Sequence, residues 1–312
     1  MSMNFTNSSP AFHYFTALLA VAMFVGTYPS PAVAKQPLDK LSRISTPSVI
    51  VVSVPMGQVL YEKAADDVRP IASLSKLMSA IVFKENCKHL DPNSLHVMTP
   101  ENRMLAKGGD KSRLTTGWSY SNNDILKAAL MRSDNRALPA LMESCGMILQ
   151  EFVMHMNRKA DELGLKNTSF TEPNGLSKYN VSTAREYTKI ILAASSFPEL
   201  TTIMQTKKDR IVGFKKGRAH KIAIGSTDLL LGRKGVEVIG AKTGYTDVAR
   251  YCLTVLNRLV DNTAVAMVFL GSEGKHTRFG DFSRINKWLN DRAEKHIAGH
   301  PPEDINEADS GS

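Results

Sequence analysis

Hydrophobic and polar positions predict a β-hairpin followed by a helix in the first part of the chain. Apolar runs at residues 48–54 and 59–64 flank the turn Pro55-Met56-Gly57-Gln58, where adjacent Pro and Gly positions favour a hairpin. From Ser73 to about Glu85, apolar residues recur every three or four positions, which predicts a helix. Residues 90–120 are largely polar, and we interpret them as loop-rich.

Helical spacing dominates the middle of the chain, and strand patterns follow it. Four further helices are predicted, with Ser121 or Asn122 capping the first and Ser182-Thr183 the last: residues 123–131, 136–144, 149–163 and 184–194. Strands at 236–242, 251–257 and 264–270 precede a last helix over 276–296. This order predicts an α/β (α+β) fold, in which the N-terminal hairpin and the C-terminal helix complete one sheet around an inserted helical lobe.

The two ends of the sequence differ from the rest. Residues 1–34 contain no Asp, Glu, Lys or Arg, and an apolar run at 14–25 precedes the small residues Ala32-Val33-Ala34. This pattern predicts a secretory signal peptide cleaved before Lys35, although its first part lacks the usual positive charge. A membrane anchor would need about 20 apolar residues, more than this run supplies. The polar tail, residues 299–312, is expected to be disordered.

Composition limits the classes of protein and of site. The chain has 312 residues, which is long enough for one large domain or two smaller ones. Of these residues 43% are hydrophobic, and the net charge is +9. The eight histidines are dispersed and no Walker loop or dinucleotide fingerprint occurs, so we expect no metal and no cofactor. The three cysteines lack C-x-x-C spacing. Cys87 with Cys145 is the first disulfide to test, and three buried thiols are an equal alternative.

A Ser and a Lys stand three residues apart at the start of the first predicted helix. In Ser73-Leu74-Ser75-Lys76 this spacing places both side chains on one face, so the amine can reach the hydroxyl. A serine hydroxyl becomes a good nucleophile only when a base removes its proton, and a lysine kept neutral can do this. The same pattern recurs at Ser272-Glu273-Gly274-Lys275, but at a strand end, where no such chemistry is expected.

Two further motifs follow in order. Ser133-Asp134-Asn135 lies between two predicted helices, whereas the similar Ser121-Asn122-Asn123 is better interpreted as a helix cap. Lys242-Thr243-Gly244 ends a predicted strand, where Gly would let a substrate backbone approach and Lys and Thr would bind a carboxylate. The order S-x-x-K, S-x-N, K-T-G is typical of β-lactamases and penicillin-binding proteins.

The segment from Arg69 to Met78 resembles the nucleophile segment of the low-molecular-mass penicillin-binding proteins, the serine D-alanyl-D-alanine peptidases. The resemblance extends over about residues 47–290, and residues 130–137, 172–177, 180–185 and 242–246 most resemble the D-alanyl-D-alanine endopeptidase branch. It implies a β-lactamase/DD-peptidase-like fold, an antiparallel sheet flanked by helices. Residues 35–298 would form one periplasmic catalytic domain, with a helical lobe (about 73–205) and a sheet lobe (35–72 and 206–298).

The resemblance also implies a ligand set and the roles of the catalytic groups. Peptidoglycan stem peptides would be substrates and β-lactam antibiotics covalent inhibitors. Ser73 Oγ would attack the D-Ala carbonyl and form an acyl-enzyme. Lys76, held neutral partly by Lys242, would be the base, and Ser133 would relay a proton to the leaving amine.

By the same resemblance, other residues would bind the substrate. Asn135 would hydrogen-bond the substrate amide, and the backbone N–H groups of Ser73 and Tyr245 would form an oxyanion hole. Thr243 and Lys242, on the strand that carries Gly244, would hold a carboxylate. For Arg278 two interpretations stay open, a second carboxylate-binding cation or a solvated charge.

Three other functions compete with an endopeptidase. A class A β-lactamase would use Glu172 to activate water, although Asn174-Gly175-Leu176 departs from its E-P-x-L-N loop. A non-catalytic wall-binding protein would use the basic surface alone. Membrane-bound carboxypeptidases of the family carry an added domain and an amphipathic anchor, and only a short polar tail follows the last helix here. We therefore expect at most peripheral membrane association and, given export, no nucleic acid as partner.

Overall fold

The structure is a computed structural model that describes residues 43–106 and 112–298. The predicted signal peptide (1–34) and the predicted disordered tail (299–312) lie outside the described residues. Within those two ranges, no helix combines the length and the apolar character that crossing a membrane requires.

The chain runs from a β-hairpin through a mainly helical region to long strands and a final helix. The strands are β1 (Ser48–Ser53), β2 (Val59–Lys63), β3 (Arg69–Pro70), β4 (Leu95–Val97), β5 (Ser119–Ser121), β6 (Val181–Ser182), β7 (Lys208–Lys215), β8 (Arg218–Gly225), β9 (Glu237–Thr246), β10 (Arg250–Arg258) and β11 (Ala264–Ser272). The helices are α1 (Ser75–Asn86), α2 (Pro100–Leu105), α3 (Asn122–Met131), α4 (Ala137–Ser144), α5 (Leu149–Glu162), α6 (Ala184–Ser195), α7 (Pro198–Gln205) and α8 (Thr277–Ile297), and a 3-10 turn, Ala72–Leu74, precedes α1.

A five-stranded antiparallel sheet separates two hydrophobic cores. Its order is β2-β1-β11-β10-β9, so the N-terminal hairpin and the C-terminal strands share one sheet, as predicted. Because side chains alternate along a strand, β11 serves both faces. Ala266 and Val268 pack toward the helical lobe, while Met267 and Phe269 pack with Phe282 of α8. The sheet is thereby fixed on both sides, with β9 at its edge.

The inserted lobe also contains strands, which departs from the all-helical lobe expected from the sequence. A four-stranded sheet has the order β4-β5-β7-β8, and β3 pairs with β6. Residues 208–225 form the β7–β8 hairpin, which bonds to β5 and not to the large sheet. This hairpin was not predicted, because only Ile211, Ile222 and Ile224 mark its inner face among charged residues. The polar stretch 90–120 likewise contains β4, α2 and β5.

Most predicted elements are confirmed within a few residues. Ser121 and Thr183 are the N-caps of α3 and α6, accepting from the backbone N–H groups of Asp124 and Glu186. Helix α7 was not predicted, because its eight residues are too few for a clear period. Strand β9 continues to Thr246, so the K-T-G motif lies inside a strand and not at its end.

Cys87 and Cys145 form a disulfide, and Cys252 is a buried free thiol. The two bonded residues are the C-caps of α1 and α4, with Cα atoms 5.6 Å apart. The bond therefore ties the helix that follows Ser73 to the helix that follows the S-x-N motif.

Replacing both bonded cysteines, in Cys87→Ala/Cys145→Ala, is expected to lower the free energy of unfolding by about 4 kcal/mol. The reason is that the bond closes a loop of 58 residues in the unfolded chain. Urea unfolding measures the change. The native chain unfolded in a reducing agent is the control and should lose a similar amount. A double variant as stable as the oxidised native chain would contradict the prediction.

Candidate active site

Ser73 lies in the 3-10 turn that leads into α1, and Lys76 lies in the first turn of that helix. Lys76 Nζ is 3.0 Å from Ser73 Oγ, as the S-x-x-K spacing predicts. Ala72 has a φ of +48°, a left-handed conformation that costs energy for a residue with a Cβ. The turn before Ser73 is thus held in a strained shape by its surroundings.

The Lys76 amine is fully buried and touches three oxygens. Besides Ser73 Oγ, it donates to Asn135 Oδ1 and to the Asn174 carbonyl, both at 2.7 Å. These two oxygens can only accept, whereas the serine hydroxyl can also donate. A neutral Lys76 that gives its two hydrogens to Asn135 and Asn174 therefore directs its lone pair at Ser73 Oγ. This is the geometry that proton abstraction requires.

The S-x-N loop brings a second hydroxyl to the site. Ser133 has a φ of +61°, and its Oγ accepts a hydrogen bond from Lys242 Nζ at 2.9 Å. Asp134 holds the loop, accepting from Ser112 Oγ at 2.8 Å and from the backbone N–H of Arg136 at 3.0 Å. These contacts hold the loop that presents Ser133 and Asn135.

Lys242 is 1% exposed, and it also donates to the Thr243 carbonyl at 2.8 Å. Burial, with the nearby Lys76 and Arg278 cations, holds the pKa of Lys242 well below its usual range. Because two ammonium groups repel, the lysine pair gives up one proton more readily than an isolated lysine does. Thr243 Oγ1 shares a 2.6 Å hydrogen bond with Thr227 Oγ1.

Gly244 lies close to the nucleophile turn. A Cβ at this position would lie 3.0 Å from the Ile71 carbonyl oxygen and 3.1 Å from Ser73 N. The approach of β9 to the nucleophile turn is thus a second reason for a glycine at this position, beside the room that it is predicted to give a substrate backbone. Tyr245 follows directly, 45% exposed, with its ring stacked on Tyr251 at 4.3 Å and its hydroxyl donating to Asp247.

Arg278 is 5% exposed, so its interpretation as a solvated charge is wrong. Its Nη1 donates to the carbonyls of Gly244 at 2.7 Å and Cys252 at 3.0 Å, which ties β9 to β10 behind the K-T-G motif. Burial lowers the pKa of Arg278 to about 10, and the side chain stays protonated at neutral pH.

The loop around Glu172 is a part of the site whose role the sequence did not indicate. The Glu172 carboxylate accepts hydrogen bonds from the backbone N–H groups of the four residues at 174–177. A Cβ on Gly175 would lie 1.8 Å from the Ala72 carbonyl oxygen, so the loop presses on the nucleophile turn. Glu172 is therefore occupied in shaping this loop, which presents the Asn174 carbonyl to Lys76.

Asp228 is a second group that the sequence did not single out, a lone acid in a loop. Its Oδ1 accepts from the Leu230 N–H at 2.9 Å, and its Oδ2 is buried with no hydrogen-bond partner among the described residues. Burial raises the pKa of Asp228 to about 6, opposed by the Leu230 N–H and by the charges of Arg233, Arg278 and Lys242. Among residues 43–106 and 112–298, no cluster of His, Cys, Asp or Glu could hold a metal ion.

Comparison with known proteins agrees with this geometry. The family described as D-alanyl-D-alanine carboxypeptidase (peptidase S11) matches residues 32–274. A D-alanyl-D-alanine endopeptidase of Pseudomonas aeruginosa is 35% identical over 87% of this chain and 84% of its own length. One from Escherichia coli is 36% identical over 79% of this chain and 77% of its own length.

Solved structures show the same fold. The Streptomyces K15 DD-transpeptidase superposes with a TM-score of 0.73 at 26% identity, covering 78% of this chain and 97% of that one. A D-alanyl-D-alanine carboxypeptidase from Mycobacterium tuberculosis gives a TM-score of 0.70 at 25% identity, covering 85% and 94%. These likenesses confirm the predicted fold class.

Asp228→Asn is expected to stabilise the protein at neutral pH, because the amide can keep the bond from Leu230 N–H without a buried charge. The native carboxyl has a raised pKa, so native stability is fullest below the unfolded value of 3.8 and falls as pH rises toward about 6. Raising the pKa from 3.8 to about 6 lowers the native free energy of unfolding at neutral pH by roughly 3 kcal/mol. Thermal unfolding at pH 4 and pH 7 tests this. The unfolding temperature of the variant, relative to that of the native chain, should be higher at pH 7 than at pH 4. The same relative unfolding temperature at both pH values would contradict the prediction.

Proposed function

Because the chain belongs to the D-alanyl-D-alanine carboxypeptidase family, we propose that it is a serine D-alanyl-D-alanine endopeptidase that cleaves peptidoglycan cross-links through a Ser73 acyl-enzyme. The observation that carries the proposal is the buried Lys76 amine, 3.0 Å from Ser73 Oγ with two carbonyl oxygens taking its hydrogens. We also propose that residues 35–298 form the catalytic unit and act in the periplasm.

In the first half of the reaction, Lys76 Nζ takes the Ser73 proton while Oγ attacks the D-Ala carbonyl carbon. The backbone N–H groups of Ser73 and Tyr245 stabilise the oxyanion, a contribution of roughly 3 kcal/mol for one donor. The C–N bond then breaks. Ser133 passes its proton to the leaving amine and is reprotonated from the lysine pair, through Lys242 at 2.9 Å.

In the second half, water attacks the acyl carbon from the position that the amine has left. Its proton passes to the same basic groups, the ester C–O bond breaks, and Ser73 Oγ recovers its proton. Because a charge on either amine disfavours a charge on the other, the pair of Lys76 and Lys242 favours a state with one amine neutral, and a neutral Lys76 acts as the base.

Substrate recognition is assigned to groups around these atoms. Asn135 binds the substrate amide through its side chain, and Thr243 on β9 binds a carboxylate in the field of Lys242. Tyr245, partly exposed beside the nucleophile turn, lines the cleft. Arg278 acts from behind the strand, adding positive potential and holding the Gly244 carbonyl.

The comparisons favour an endopeptidase over the alternatives. The relatives at 35–36% identity are D-alanyl-D-alanine endopeptidases, whereas a Bacillus subtilis D-alanyl-D-alanine carboxypeptidase is 30% identical over 71% of its length. A β-lactamase would need Glu172 as a base, but four backbone N–H groups bind that carboxylate. β-Lactams are therefore proposed as covalent inhibitors and not as substrates.

Purified sacculi are expected to lose cross-linked dimers on incubation with the protein, because the site cleaves the bond that links two stem peptides. Chromatography of the muropeptides released afterwards by a muramidase measures the loss. Ser73→Ala is the matched control and should leave the dimers intact. Release of terminal D-Ala from monomers with dimers unchanged would instead identify a carboxypeptidase.

A fluorescent penicillin is expected to stay bound to Ser73 for minutes, since the Glu172 carboxylate is held by four backbone N–H groups and is not free to activate water for deacylation. Intact-mass spectrometry of the mixed sample, followed over time, measures the adduct. Rapid release with accumulation of hydrolysed penicillin would show β-lactamase activity.

A further inference from the structure

The β7–β8 hairpin carries a concentration of positive charge that the catalytic mechanism does not use. Residues 207–221 contain seven Lys or Arg and one acid, Asp209. The seven cations are all exposed: Lys207, Lys208, Arg210, Lys215, Lys216, Arg218 and Lys221. Asp209 pairs at 2.9 Å with Lys127, which lies outside the hairpin, and no described carboxylate forms an ion pair with any of the seven.

The hairpin presents one of its faces to solvent. Ile211 and Ile224 are buried in the core of the lobe, so the opposite face points outward. The register places Val212 opposite Lys221 and Arg210 opposite Ala223 on that outer face. The half-buried Val212 and the exposed Ala223 thus lie among cations. Within the described part of the chain, β8 is also an edge strand of its sheet.

The basic outer face of the hairpin begins near the active site. Lys208 pairs with Gly225, and Thr227 just beyond it donates to the Met131 carbonyl at 2.9 Å and shares a hydrogen bond with Thr243 of the K-T-G motif. From there eight residue pairs lead outward to the turn at Lys216 and Gly217. At about 3.3 Å per residue this is roughly 25 Å of basic surface that starts near Thr243.

We propose that the outer face of this hairpin is a docking surface for anionic peptidoglycan, binding carboxylates of stem peptides that neighbour the one at Ser73. The proposal rests on the proposed function and names where the polymer lies beyond the cleft. Unpaired cations match a polymer with repeated free carboxylates, and the attraction would act on intact wall rather than on short fragments. Lysines on an edge strand can also serve only to prevent aggregation, and in that case the hairpin would show no preference for binding such a polymer.

The test removes four exposed charges from the outer face and the turn of the hairpin in Lys208→Gln/Arg210→Gln/Lys216→Gln/Lys221→Gln. A matched variant removes four exposed cations elsewhere, in Lys88→Gln/Arg103→Gln/Lys166→Gln/Lys287→Gln. Both sets are placed in the full chain carrying Ser73→Ala, so that binding is measured on sacculi that stay intact. Co-sedimentation at several salt concentrations gives the affinity and its salt dependence.

We expect the hairpin variant to bind sacculi about tenfold or more weakly at low salt, with a shallower salt dependence, and the matched variant to change by less than about twofold. Sacculi whose carboxylates are amidated should bind the Ser73→Ala chain and its hairpin variant equally weakly. Equal losses in the two variants, or undiminished binding by the hairpin variant, would overturn the proposal. Hairpin-dependent binding to anionic phospholipid vesicles but not to sacculi would also overturn it.

In the active background, with Ser73 present, both variants should react with a fluorescent penicillin at the native rate, because the hairpin is not part of the catalytic groups. Cleavage of a soluble cross-linked dimer should also be unchanged. If the native protein binds sacculi through the hairpin but cleaves no dimer, the proposed function fails while the docking surface stands.

Discussion

One buried amine connects the segments of the active site. Lys76 Nζ contacts the nucleophile turn through Ser73, the S-x-N loop through Asn135 and the Glu172 loop through the Asn174 carbonyl. An amine removed from water is costly to charge, and one held by two fixed acceptors has its lone pair directed at the third contact. Each of the three segments must therefore be in place for the serine to become a nucleophile.

The surrounding fold can be understood as the means of holding these segments. Two non-glycine residues with positive φ, Ala72 and Ser133, sit directly at the reacting groups, and such conformations persist only where packing imposes them. The Glu172 carboxylate gathers four N–H groups and so fixes the loop that ends at Lys76. The disulfide joins the far ends of the helices that begin near the two motifs. Rigid support of this kind is what keeps a base within 3 Å of its proton donor.

Much of the site could be predicted from the sequence because its chemistry is carried by short motifs. Lys76 follows Ser73 by less than one helical turn, so their contact needs no knowledge of the fold. The contacts of Asn174 and Asp228 could not be predicted in this way. Every residue has a backbone carbonyl, so the contact of the Asn174 carbonyl with Lys76 cannot be recognised from residue type. The burial of the Asp228 carboxylate depends on the packing around its loop. The β7–β8 hairpin was missed because charged residues obscure its alternation, and its charge is also why we assign it a role.

The rate at which a fluorescent penicillin acylates Ser73 tests the central claim most directly. The comparison is between the native chain and Lys76→Ala, with thermal unfolding and binding to sacculi as checks that the variant is folded. If the buried amine is the base, the second-order rate constant should fall by about a thousandfold, within the range by which a positioned general base accelerates a reaction. A rate within about tenfold of the native value in a folded variant would mean that another group activates Ser73.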